Sequence, residues 1–329
     1  MAYTTIDDPT LYFSTTLYTG DGNQNRAVTI DGTGMEPDWL WVKNRSAAEG
    51  HVVGDSVRGA TKRLIPNSNE AEATRPTNIA SFTSTGFTVA NGGVDGAVNT
   101  NNATYVSWSW KETATAGFDI VSFTGSGSQR TVSHNLGVKP SMIIVKNRSA
   151  TENWIVYDKI NGAGKFMALN LTSASAASSS MFGVEPTTSV FTVGTSNATN
   201  KSSSNMIAYC FAEKQGYSKI GSYTGNGNAD GPMIYLGFKP AFLIIKPSSK
   251  AEEWMVMDAK RDPENAVDSN LYANQNYSEA DYDRLDIVSN GFKVRTDSGH
   301  LNTSGATMIY MAFAENPFVT STGIPATAR

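Results

Sequence analysis

Short runs of apolar residues, each bounded by proline, glycine or a polar cluster, set the rhythm of this chain. Met142-Ile143-Ile144-Val145 and Phe242-Leu243-Ile244-Ile245 are apolar at every position, which predicts strands buried on both faces. Tyr105 to Trp110, Met206 to Phe211 and Met308 to Phe313 behave alike. In the first of these, Val106, Trp108 and Trp110 alternate with Tyr105, Ser107 and Ser109, the period of two that a strand imposes. Gly86-Phe87 and Gly291-Phe292 place a glycine just before a strand, where a turn with positive φ is expected. Helical signals are weak. Ser173 to Ser180 is rich in Ala and Ser without an apolar face, and Asn265 to Asn274 has room for one helical turn or two.

The same script is written three times. Tyr18-Thr-Gly-Asp-Gly22, Phe123-Thr-Gly-Ser-Gly127 and Tyr223-Thr-Gly-Asn-Gly227 each open a segment. Pro37-Asp-Trp-Leu-Trp-Val-Lys43, Pro140-Ser-Met-Ile-Ile-Val-Lys146 and Pro240-Ala-Phe-Leu-Ile-Ile-Lys246 follow. Asp55, Asp158 and Asp258 keep the register, as do Phe87/Val89, Phe191/Val193 and Phe292/Val294. Each segment closes on a glutamate: Glu112, Glu213 and Glu315. Landmarks that stay aligned over a period of about 100 residues indicate three related units, each long enough for a core of its own. The expected organisation is an arm at 1–16, units at 17–112, 121–215 and 221–316, and a tail at 317–329. The expected fold is all-β: three tandem antiparallel β-sandwiches, jelly-roll-like, with long polar inserts at Pro66 to Asn78 and Asp262 to Asp283.

Composition narrows the function. The 329 residues carry 26 basic and 30 acidic side chains, a net charge of −4. Such a surface does not neutralise phosphates, so nucleic acid is not the expected partner. Cys210 is the sole cysteine, which excludes an intrachain disulfide and a multi-cysteine metal site. No apolar run approaches the ~20 residues of a membrane span. The first residues lack the basic and apolar regions of a signal peptide, so synthesis in a cytoplasm is expected.

Candidate chemistry is sparse. Glu49/Asp55, Glu152/Asp158 and Glu252/Asp258 sit six apart, about 20 Å along a straight strand, too far for a glycosidase pair. Triplication favours a structural role for them. Asp55 and Arg58 are spaced for a loop salt bridge or a turn cap, with ligand contact as the alternative. Trp39, Trp41, Trp108 and Trp110 are the best binding candidates, because exposed aromatics stack on sugars and anchor interfaces. Packing in a core or between units is the competing expectation. Trp154 and Trp254 align with His51 and read as core. The Thr-Gly-x-Gly turns lack the lysine and helix of a phosphate loop, and Asp21-Gly22-Asn23 lacks the frame of a calcium loop. No catalytic, cofactor or metal residues are assigned.

Three stretches resemble a module of tailed-bacteriophage structural proteins, common in marine and cyanobacterial phages. They are Pro37-Asp-Trp-Leu-Trp-Val-Lys-Asn-Arg-Ser46, His51-Val-Val-Gly-Asp-Ser-Val-Arg-Gly-Ala-Thr-Lys62 and Asn101-Asn-Ala-Thr-Tyr-Val-Ser-Trp-Ser-Trp-Lys111. The second segment keeps Lys146-Asn-Arg-Ser149, and the third departs with Lys246-Pro-Ser-Ser249. The resemblance implies a non-enzymatic virion protein, assembled in the host cytoplasm, in a tail fibre or tail-associated appendage for host attachment. Expected partners are other virion proteins, further copies of itself (a trimer favoured) and host surface glycan met by the inserts, with the arm docking on the particle. The alternatives are a capsid decoration or vertex spike protein and a glycan-degrading tail enzyme.

Overall fold

The computed structural model describes residues 2–32, 34–92 and 97–325. Strand makes up 43% of it and helix 3%, and the pairings are antiparallel, so the chain is all-β. Three sheets share one strand order. In the first repeat, Phe13–Thr19, Thr104–Trp110, Trp39–Asn44 and Val52–Asp55 lie side by side. In the second, the order is Phe118–Thr124, Asn205–Phe211, Met142–Asn147 and Ile155–Asp158. In the third it is Ser218–Thr224, Thr307–Pro317, Phe238–Pro247 and Met255–Asp258. The register repeats as well. Trp39 faces Trp110 and Asp55, Met142 faces Phe211 and Asp158, and Phe242 faces Phe313 and Asp258.

Each strand begins one segment earlier than the glycine turns suggest. Phe13–Thr19 lies partly within the expected arm, and Phe118–Thr124 and Ser218–Thr224 begin inside the stretches 113–120 and 216–220 expected to connect the units. The reason is polarity: Phe-Ser-Thr-Thr-Leu-Tyr-Thr has few apolar residues to announce a strand, yet it pairs residue for residue with Thr104–Trp110. The one helical turn or two allowed for at Asn265 to Asn274 does not form, and that stretch contains the strand Val267–Tyr272. The Ser173 to Ser180 stretch, which has no apolar face, holds the two-residue strand Ala176–Ala177 instead. Pairing with a neighbouring strand outweighs weak local propensity in both. Gly86 and Gly291 are required for closeness rather than for positive φ. A Cβ there would stand 2.1 Å from the Val28 oxygen and 1.9 Å from the Ile234 oxygen.

Strands apolar at every position serve two cores. Trp39 and Trp41 point one way and Leu40 and Val42 the other. The second set packs with Phe87, Val89 and Tyr105 into an outer core of the first repeat, and the other repeats have their own outer cores. The first set meets its counterparts from all three repeats in one inner core: Trp39, Trp110, Met142, Tyr209, Phe211, Phe242 and Phe313 belong to it. The repeats are therefore not three separate bodies in a row. Aromatic pairs join them: Trp39 stacks on Tyr209 with centroids 4.8 Å apart, Phe13 on Phe313 at 5.3 Å, and Phe211 meets Phe313 edge-on at 6.1 Å. Burying each such ring is worth ~1.5–3 kcal/mol, and the pair geometry adds to that.

The two ends of the chain meet at the third repeat. Tyr3 Oη donates to the Gly237 oxygen (2.7 Å), Thr4 Oγ1 to the Gln215 oxygen (2.8 Å), and Ile6 is buried in the inner core. The backbone N–H of Phe318 donates to Gly237, and that of Ser321 to Asp7. The arm is thus built into the chain's own fold. The tail's last residues, 326–329, lie outside the described residues.

Candidate functional site

The seams between repeats hold Trp39, Trp41, Trp108, Trp110 and the Asp55/Arg58 pair. Trp39, Trp41, Trp108 and Trp110 are at most 2% exposed. They present no ring to solvent; they pack between repeats. Trp41 donates from Nε1 to His51 Nδ1 (2.7 Å). His51 Nε2 lies 3.0 Å from the Tyr272 oxygen and 3.1 Å from the Gln275 oxygen of the third repeat. The indole proton fixes Nδ1 as acceptor, so Nε2 carries the ring's own proton and donates to those carbonyls. Burial, reinforced by Lys43, holds the imidazole well below its ordinary pKa, so it stays neutral.

Tryptophan does the same task at the other two seams. Trp154 Nε1 donates to the Ile65 and Ser68 oxygens of the first repeat, at 3.0 and 3.1 Å. Trp254 Nε1 donates to the Ala168 oxygen of the second repeat at 2.9 Å. The contact runs first to third, second to first, third to second, and so closes a ring. An asparagine side chain holds each of these positions by its backbone N–H: Asn67 for His51, Asn170 for Trp154, Asn274 for Trp254. The inserts cross the same seams. Glu72 pairs with Arg148 of the next repeat, and Glu279 with Arg45. The inserts thus fasten neighbouring repeats, and this part of them is turned inward rather than toward a partner.

Asp55 and Arg58 form a buried ion pair, as do Asp258 and Arg261. Arg58 also reaches Glu72 (3.2 Å), and Arg261 reaches Glu279 (2.9 Å). Across the seam, Tyr209 Oη donates to Asp55 Oδ2 (2.7 Å) and Trp108 Nε1 to Asp258 Oδ2 (3.1 Å). Each aspartate also caps the turn after its strand, accepting from the N–H of Arg58, Asn161 or Arg261. The second repeat has Asn161 in place of arginine, and Ser248 stands where the other seams have Arg148 and Arg45. Asp158 therefore has a side-chain amide where the other two aspartates have a paired guanidinium, and burial raises its carboxyl pKa. Burial equally lowers Lys43, Lys146 and Lys246 to about 8. Lys146 Nζ donates to the Asn69 oxygen of the first repeat and Lys246 Nζ to the Thr172 oxygen of the second.

Sequence reasoning passed over one set of residues. Asn99, Asn200 and Asn302 are fully buried. Each accepts from the N–H after the first glycine of its Thr-Gly-x-Gly turn, at Asp21, Ser126 and Asn226. Each also donates back across the turn, to the Asn23, Ser128 and Asn228 oxygens. Their signal is the same register that aligns the prolines. Chemically, these seams are recognition between parts of one chain: donors matched to carbonyls, cations to carboxylates, and rings to rings.

A family model described as a domain of unknown function (DUF7483) matches residues 8–317. It spans all three repeats. No curated protein and no solved structure matches the chain.

Proposed function

The chain belongs to the DUF7483 family, and we propose that it is a structural protein of a tailed-bacteriophage virion. In this reading three tandem β-sandwich copies form one cross-braced body in a tail fibre or tail-associated appendage that contributes to host attachment. The role is non-enzymatic. The observation that carries the reading is the seam repeated around the chain: His51, Trp154 and Trp254 each reach the preceding repeat. Such bracing suits a part that must persist outside a cell without disulfides. The likeness of Pro37 to Lys62 to phage structural modules supplies the setting.

The inner sheet faces are consumed within one chain. Strands apolar on both faces would suit contacts in a homotrimer, but with those faces covered within one chain, contact with further copies or other virion proteins falls to the outer loops and strand edges. The ring order of the seams favours a second reading, a capsid decoration protein, because an internally three-fold body matches a three-fold position on a shell.

The test is the intact particle. Mass spectrometry of purified virions and an averaged map should find the chain there, as density attached to the tail. Density on the capsid supports the second reading, and absence from particles overturns both.

A further inference from the structure

Within a triplicated fold, what all copies keep is structural, and what one copy changes is a candidate for function. The third repeat changes five positions that meet at one groove of about 530 Å³, on the seam with the second repeat. On the strand Met233–Tyr235, Met233 and Tyr235 are 46% and 52% exposed. The equivalent exposed positions are Ala27 and Thr29 in the first repeat and Thr131 and Ser133 in the second. On the edge strand, Lys219 replaces Ser14 and Asp119, and Gly221 replaces Thr16 and Val121. Opposite Gly221, Tyr310 replaces Ser107 and Ala208.

These changes act together. A Cβ at Gly221 would lie 2.5 Å from Tyr310 Oη, so the glycine clears space for that hydroxyl. Tyr310 is 3% exposed, lines the groove, and its hydroxyl has no hydrogen-bond partner among the described residues. Tyr235 is held from behind by the arm, with its hydroxyl 3.3 Å from that of Tyr3. Lys219 Nζ donates to the Tyr235 oxygen (2.7 Å) and lies 5.5 Å from the ring centroid. No carboxylate pairs with it among the described residues. Lys159 at the far wall is already paired with Glu213. The groove therefore offers an aromatic and thioether platform, one free hydroxyl and one uncompensated cation.

We propose that this groove binds an anionic saccharide, taking one hexuronate unit. The apolar face of the pyranose lies on Tyr235 and Met233, its carboxylate meets the free N–H bonds of Lys219, and a ring hydroxyl bonds Tyr310 Oη. The proposal deepens the attachment reading above, but its test is made on the isolated full chain.

Isothermal titration with trigalacturonate and with maltotriose decides it. Trigalacturonate should bind and maltotriose, at the same concentrations, should not. Tyr235→Ser and Lys219→Ser install residues found at these positions in other repeats, so both variants should fold, as a thermal melt would verify. Each should weaken trigalacturonate about tenfold or more. Absence of trigalacturonate binding by the natural chain, equal binding of maltotriose, or affinity unmoved in both folded variants overturns the proposal. Such a failure leaves the chain's place on the particle untouched, since that is read from virions.

Discussion

Tyr209 donates its hydroxyl across a seam to Asp55 Oδ2, 2.7 Å away, inside a site closed to solvent. The acceptor is already paired with Arg58. One carboxylate thus holds its own loop and a strand of the next repeat. Tyr209→Phe should cost ~1.5–3 kcal/mol, the value of one hydrogen bond to a charged acceptor. Asp55→Ala should cost ~3–5 kcal/mol, because it removes the fully buried carboxylate partner of a buried guanidinium together with the acceptor of Tyr209. Urea titrations of both variants would measure this, and equal losses would contradict the account.

Trp254 carries both packing and a hydrogen bond to Ala168. Trp254→Phe keeps most of the ring and removes one of two donors to the Ala168 oxygen, which still accepts from the Leu171 N–H, an expected loss of ~0.5–1.5 kcal/mol. Trp254→Ala also opens a cavity between the second and third repeats, for ~3–5 kcal/mol. Chemical denaturation should show that order.

Stability should rise with pH between about 8 and 10. Lys43, Lys146 and Lys246 are lowered to about 8 by burial, only partly offset by Glu49, Glu152 and Glu252. In that window the unfolded chain holds protons on these lysines that the folded chain has released, so raising pH favours folding. Above about 10 the direction reverses: burial keeps the phenols of Tyr18, Tyr209 and Tyr217 protonated when folded, while unfolding frees them to ionise. Urea midpoints followed through this range test it, and Lys146→Met should remove about a third of the rise.

Asn302 braces its turn by side-chain bonds, donating to the Asn228 and Thr296 oxygens and accepting from the Asn226 N–H. Asn302→Ala removes these bonds from a buried side chain and should cost ~1–3 kcal/mol. Faster amide exchange at Asn226 would locate the loss in the turn.

The repeat and the doubly buried strands were legible because prolines, aspartates and apolar runs hold a fixed spacing. Phe13–Thr19 was not, since its partner strand rather than its own pattern makes it a strand. The four tryptophans of the first repeat looked like surface candidates because period-two spacing cannot say which side of a sheet is covered. Here both sides are, one by the same repeat and one by its neighbours. The inserts read as polar loops because Glu72 and Glu279 show their purpose only beside Arg148 and Arg45, which lie far along the chain. The groove was invisible for the opposite reason: it consists of departures from the repeat, and alignment of landmarks draws the eye to what is kept.

The central claim is that three repeats share one inner core and therefore unfold together. Scanning calorimetry of the full chain tests it most directly. The account predicts a single transition whose calorimetric and van't Hoff enthalpies agree, a ratio of about 1. A ratio near 3, or three resolved transitions, would mean that the repeats melt independently and would contradict it.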